Sequence, residues 1–171
     1  MNEGEIPNPD TVLSSLNKVL FSACKGKLLM TMCLIRLDLD TGEIVLSNAG
    51  HESPLCVRKA DLEKGKAKPE EFFGRGERLG FAMDSQYTNE TYSMAEGDSL
   101  LLYTDGVTEA KNGEGAEWGE RQVKKSFSRA LSETQSLNET KERLLKDLRT
   151  FVGTQPLHDD VTFTLLRMKR A

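Results

Sequence analysis

Cysteine and histidine are scarce in this chain: three of one and two of the other in 171 residues. Cys24, Cys33 and Cys56 are an odd number at spacings that suggest no disulfide framework. Cys33 and Cys56 lie in apolar surroundings, MTMCLI and PLCVR, which predicts buried free thiols in a reducing compartment, the cytoplasm. There is no Cys-x-x-Cys and no His-Glu-x-x-His, so a zinc site is not expected. No Gly-x-Ser-x-Gly elbow supports a serine hydrolase, and no glycine pattern of the Rossmann or P-loop kind supports a nucleotide site. No apolar run approaches the roughly 20 residues that span a bilayer, and residues 1–25 lack a signal-peptide pattern. Charge of one sign is not in excess either. The net charge of −4 comes from interspersed acids and bases, which excludes a general affinity for nucleic acid or anionic membrane.

What is present fits one domain with a sizeable core. NPDTVLSSLNKVLFSA (8–23) reads as a helix with Asp10 as N-cap, its apolar residues recurring at helical spacing. LLMTMCLIRLDL (28–39) is nearly all apolar and predicts a strand buried on both faces. Asp40-Thr41-Gly42 supplies hairpin chemistry, and EIVLSNAG the return strand. SPLCVR reads as a short strand, and the charged stretch 59–71 as an exposed, mobile loop. ERLGFAMD is turn-rich. TYSMA, the turn EGD and SLLLYT predict a second hairpin. Two helices follow, one carrying Val123, Phe127 and Leu131, the next Leu144, Leu148 and Phe151/Val152, with Ser136-Leu137-Asn138-Glu139 as a capping box. VTFTLLRM (161–168) closes the chain as a strand. Strands that come as hairpins, with no internal repeat, favour an α+β fold with antiparallel sheets.

Four clusters could carry chemistry. Asp105 follows a buried strand in Tyr103-Thr104-Asp105-Gly106. Asp-Gly is a common turn, but a strand end is also a rigid place to present a carboxylate to a hard divalent cation. Gly106 would then allow close backbone approach. His158-Asp159-Asp160 precedes the last strand, where adjacent carboxylates repel unless separated or bridged by a cation. His51 ends Asn48-Ala49-Gly50-His51, and a lone histidine is most often a hydrogen-bonded structural residue. Glu77-Arg78-Leu79-Gly80 is by itself a turn. Spacing alone does not bring positions 105 and 159 together.

In their order along the chain, NAGH, RLG, EGDSLLLYTDGVTEAKN and HDDVTF carry a resemblance. From about residue 8 to 168 the chain resembles the C-terminal part of the bacterial serine phosphatase family that contains stage II sporulation protein E and RsbU, within the metal-dependent protein phosphatases of the 2C type. The resemblance implies an αββα sandwich, two antiparallel sheets flanked by helices. It implies hydrolysis of phosphoserine or phosphothreonine, with two Mn²⁺ or Mg²⁺ ions activating a water for in-line attack and no catalytic side chain beyond that water. Carried over by residue, Asp105 matches the metal-binding Asp of TDG and Asp159 the first Asp of DD-x-T. Asp160 and Gly106 are supporting positions, and His51 stands in the branch's AGH motif. The implied substrate is a phosphorylated regulatory protein such as an anti-sigma factor antagonist.

The family's first metal-binding motif, an Asp-Gly or Asp-x-x-Gly-His-Gly element before the first helix, has no counterpart here. Residues 1–7 read as a tail with Glu3 and Glu5, and 8–171 as a partial phosphatase domain, a fragment or a shortened relative. Asp105 and Asp159 alone would leave most of a six-coordinate shell to water. Strands missing from both sheets predict self-association through exposed edges. The competing reading is a non-catalytic module that keeps the fold and works by binding a partner. A hydrolase using His51 and a serine has no supporting spacing.

Overall fold

The computed structural model describes residues 6–169, so Glu3 and Glu5 lie outside the described residues. In chain order the elements are α1 (Pro9–Cys24), β1 (Met32–Leu37), β2 (Glu43–Ala49), β3 (Leu55–Val57), α2 (Lys59–Glu63) and β4 (Glu70–Glu71). They continue with β5 (Glu90–Ser93), β6 (Ser99–Tyr103), α3 (Asp105–Thr108), α4 (Gly119–Glu133), α5 (Leu137–Val152) and β7 (Phe163–Arg167). The α+β class expected from the sequence is the class observed, with two antiparallel sheets and helices. The chain divides into two compact units, one running to Ser53 and resuming over Phe72–Met94, the other holding Pro54–Glu71 and the chain from Ala95.

The first unit carries the sheet ordered β1-β2-β5. The predicted hairpin forms about Asp38–Gly42, and β1 pairs with β2 along its whole length. Its centre is β2, where Ile44, Leu46 and Ala49 are fully buried. The apolar run at 28–39 therefore does not become a strand buried on both faces. It forms an edge strand, half-buried throughout, because β2 takes the central place and β1 has a partner on one side only among the described residues. Helix α1 starts earlier than Asp10 implies. Asn8 is the N-cap and Pro9, whose fixed φ suits the first helical position, follows it. Asp10 instead lies inside the first turn, its carboxylate accepting from Thr11 N at 2.6 Å. Leu13, Ala49, Leu79 and Tyr87 form this unit's core.

The second unit carries the sheet β4-β3-β6-β7, with α4 and α5 supplying Val123, Phe127, Leu144 and Leu148 to one core with Leu55, Val57, Leu101 and Tyr103. The capping box at the start of α5 is present in both halves: Glu139 N donates to Ser136 Oγ and Ser136 N to Glu139 Oε2. The stretch 59–71 is largely exposed, as expected, but it is not all loop: residues 59–63 form α2 and 70–71 form β4, with Leu62 and Ala67 packed against the core and Ser128 Oγ donating to the Ala67 carbonyl.

The expected second hairpin does not form either. The turn is there, with Asp98 N donating to Ala95 O, but the strands on its two sides pair elsewhere. β5 pairs with β2, and β6 with β3 and β7. Met94 N donates to Gly42 O, while Met168 N donates to Asp98 O, so the chain belongs to one sheet before the turn and to the other after it. Of the three cysteines, all free, only Cys56 is buried. Partial burial at Cys33 and full burial at Cys56 take both thiols out of water far enough to push them up to about 12, so neither is a thiolate at neutral pH.

Candidate metal centre

β6 runs through Leu100, Leu101 and Tyr103, all buried, and ends where Thr104 caps the one-turn helix α3. The strand is thus fixed by packing, and the next residue, Asp105, is exposed at its end. Asp105 Oδ1 accepts from Gly106 N at 3.0 Å. The second junction repeats the device, as Asp159 Oδ1 accepts from Asp160 N at 2.7 Å. Each carboxylate has one oxygen braced by the amide that follows it, and both Asp159 and Asp160 are exposed.

The fold brings these two junctions together through Thr104. Its hydroxyl donates to Asp160 O at 3.1 Å and accepts from Thr162 N at 3.1 Å, while Thr104 N donates to Thr162 O at 3.2 Å. These bonds extend the β6–β7 ladder past the end of the strands. Sequence reasoning does not single out Thr104. A threonine in the residue before an Asp-Gly turn is a local signal for backbone bridging, but its partner lies far along the chain.

Gly106 is the other contact between the junctions. A Cβ at Gly106 would lie 2.4 Å from Asp160 O, 3.1 Å from Asp160 C and 3.4 Å from Asp159 C. The obstacle is backbone, so a larger residue must push the 159–160 segment away. Gly106→Ala is expected to destabilise the chain by about 2 kcal/mol and to weaken Mn²⁺ binding. Chemical denaturation and titration calorimetry check it, and wild-type values in both would show that the contact does not fix the 159–160 segment.

Asp105, Asp159 and Asp160 are hard oxygen donors on exposed, backbone-braced positions, which suits Mn²⁺ or Mg²⁺ in kind. In number they fall short of a full shell. Among the described residues, no three His, Cys, Asp or Glu side chains are grouped as a metal ion's ligands. A divalent ion here would draw the rest of its coordination from water or from groups beyond these.

His51 belongs to the first unit, where Asn48 holds it by the backbone. Asn48 Oδ1 accepts from His51 N at 2.7 Å, and Asn48 Nδ2 donates to His51 O at 2.8 Å. Its imidazole Nδ1 lies 3.2 Å from Glu52 O. Asn48 is itself almost fully buried, so in this motif the asparagine closes the turn. In the second unit, a cleft of about 680 Å³ opens beside Asp159 and Asp160, walled by the end of α5 and the segment 153–161.

The family described as stage II sporulation protein E (SpoIIE) matches residues 3–169. Among curated relatives, the chain is 27% identical over 164 residues to the phosphoserine phosphatase RsbU of Bacillus subtilis. That match covers 95% of this chain and 46% of RsbU, so the chain spans about half of that relative's length. Among solved structures, the SiaA-PP2C domain of Pseudomonas aeruginosa superposes with a TM-score of 0.79 at 22% identity, over 95% of this chain and 61% of that one. The phosphatase domain of SpoIIE from Bacillus subtilis, presoaked with Mn, gives a TM-score of 0.61 at 14% identity, over 99% of this chain and 70% of that one. At these identities the structural likeness establishes the fold, that of a 2C-type phosphatase domain.

Proposed function

The chain belongs to the stage II sporulation protein E family, and from that premise we propose that it is the C-terminal part of a metal-dependent protein serine/threonine phosphatase. Its substrate is a phosphorylated regulatory protein in signal transduction, such as an anti-sigma factor antagonist. Asp105 and Asp159 would hold Mn²⁺ or Mg²⁺, with Asp160 and Gly106 in support. When bound, such an ion supplies Lewis acidity toward a phosphoryl oxygen and lowers the pKa of water.

The observation that carries this reading is the joining of the TDG and DDVT junctions by the Thr104 bonds to Asp160 and Thr162. Two carboxylates far apart in sequence are anchored to one rigid piece of sheet, which a pair of unrelated turns would not need. Thr104 ties the backbone between the two candidate ligands. Gly106 permits the approach, and the Asp105 and Asp159 side chains remain exposed for a ligand. The test is turnover of p-nitrophenyl phosphate and a phosphoserine peptide with and without Mn²⁺. Turnover independent of metal, or none at all, would end the reading for this chain and leave a partner-binding module.

No helix of the described residues is long and apolar enough to cross a membrane, and the three free cysteines support a cytoplasmic location. Self-association belongs to the same proposal. Among the described residues β1 has a strand partner on one side only, and Leu28 and Leu29 leading into it are exposed at 53% and 36%, while Met30 is bridged to Leu79. An open apolar edge is a template for pairing with another strand. Sedimentation velocity is expected to show concentration-dependent dimers, and a monomer at every concentration would rule this out.

A further inference from the structure

The cleft beside Asp159 is too large for a phosphoryl group alone. At about 680 Å³ it falls in the range of pockets that enclose whole ligands, roughly 300–1,000 Å³. Its inner wall is one face of α5, where Leu145, Leu148, Arg149 and Val152 follow at i, i+3, i+4 and i+7. Leu157 and Val161 complete an apolar floor. Leu148 and Val152 are buried in the core and fix that floor, whereas Leu157 is 51% exposed and open to a visitor.

Arg149 is the one arginine or lysine among the described residues lining the cleft, on the α5 side, while Asp159 and Asp160 line it from the segment after the helix. The arginines Arg129 and Arg143 on the neighbouring surface are paired with Asp147 and Glu133. Arg149 is exposed, and among the described residues its guanidinium makes no ion pair or hydrogen bond. A cation on a leucine floor calls for a carboxylate next to an apolar side chain. Asp159 and Asp160 line the same cleft, so whatever is presented at those carboxylates has its neighbours over the floor.

We propose that this cleft docks the segment of the protein substrate adjoining the phosphoserine, seating a leucine-sized side chain on Leu148, Val152 and Leu157 and an acidic side chain at Arg149. This rests on the phosphatase reading and adds a substrate class to it: phosphoserine flanked by one large apolar and one acidic residue. The cleft, rather than the two aspartates, then selects among phosphoproteins.

The test measures binding separately from turnover. Fluorescein-labelled peptides carrying unphosphorylated serine beside Leu or Ser, and beside Glu or Lys, are titrated with the full chain by anisotropy. Leucine is expected to bind about tenfold tighter than serine, roughly 1.4 kcal/mol, just under the range for fully burying such a side chain because the cleft is open. Glutamate is expected to bind up to about fivefold tighter than lysine, as for an exposed ion pair. Arg149→Glu should reverse the charge preference, a gain for the lysine peptide that misfolding does not produce. Leu157→Ser should erase the leucine preference alone. Equal binding of all four peptides, no binding, or an unchanged charge preference in Arg149→Glu would overturn the proposal. So would a cleft covered by a second copy, seen as peptide binding that appears only on dilution. Mn²⁺-dependent turnover of p-nitrophenyl phosphate on the same preparation reports on the phosphatase reading by itself.

Discussion

Replacing Asp105 with asparagine is expected to cut Mn²⁺-dependent turnover of a phosphoserine peptide by at least about 100-fold, because removing even an outer-shell partner of a metal ligand costs roughly 10–100-fold. The change is nearly isosteric. An asparagine there would keep an oxygen for the Gly106 amide, now bonded to Asp105 Oδ1 at 3.0 Å, and the residue is exposed, so the fold should be unaffected. What is lost is one negative charge where few others are grouped. The defect should therefore appear partly as a raised Mn²⁺ requirement, eased by millimolar metal. Asp159→Asn should act in the same direction. The double variant should be little worse than either single one, since ligands of one ion act as a unit. Turnover of Asp105→Asn within twofold of wild type, across a range of Mn²⁺, would remove Asp105 from the metal site. Circular dichroism of the variant guards against a trivial loss of structure.

The elements around Asp105 were largely legible because their signals are local. SLLLY reads as a buried strand and becomes β6. Ser136 and Glu139 read as a capping box and form one, and the apolar spacing in 123–131 and 144–152 marks the buried faces of α4 and α5. A family resemblance supplied what spacing lacked, the expectation that positions 105 and 159 share a site. The bonds that join those junctions run through a threonine hydroxyl and a backbone carbonyl. Neither group has a sequence pattern of its own.

The misread elements fail for a common reason: strand pairing is long-range. MTMCLIRL is as apolar as a central strand, yet sheet position depends on which strand has two neighbours, and that strand is β2. TYSMAEGDSLLLY has the hydrophobic-turn-hydrophobic form of a hairpin. Only the prior claims of β2 on one arm and of β3 and β7 on the other divide it. The charged stretch 59–71 looked free because charge dominates its composition. Leu62 and Ala67 pack on the core, and the β3–β4 pairing and the Arg58–Glu70 and Lys124–Glu71 ion pairs tie its far end.

That division of the EGD turn gives Asp98 an importance its local sequence hides, and Asp98→Ala is expected to cost about 3 kcal/mol of stability, the lower end for breaking a buried ion pair. Asp98 is 3% exposed and lies immediately before β6. Its Oδ2 accepts from Arg58 Nη1 at 3.0 Å and Ala95 N at 2.9 Å, and its Oδ1 from Lys59 N at 2.9 Å. Arg58 also reaches Glu70 Oε2 at 2.7 Å, so a single guanidinium ties the ends of β3, β4 and β6. Burial alone would lower the Arg58 pKa, but its bonds to Glu70 and Asp98 outweigh this and hold it above the ordinary value. Alanine at 98 leaves two amides and part of a guanidinium without their acceptor. Because the Arg58 side chain is 28% exposed, water recovers some of that loss, which is why the lower end applies. Asp98→Asn keeps an acceptor and loses the charge, and should cost about half as much. Urea denaturation with an unchanged m-value checks both. A loss below about 1 kcal/mol for the alanine variant would mean that the Arg58–Asp98 pair does not hold β6 in register.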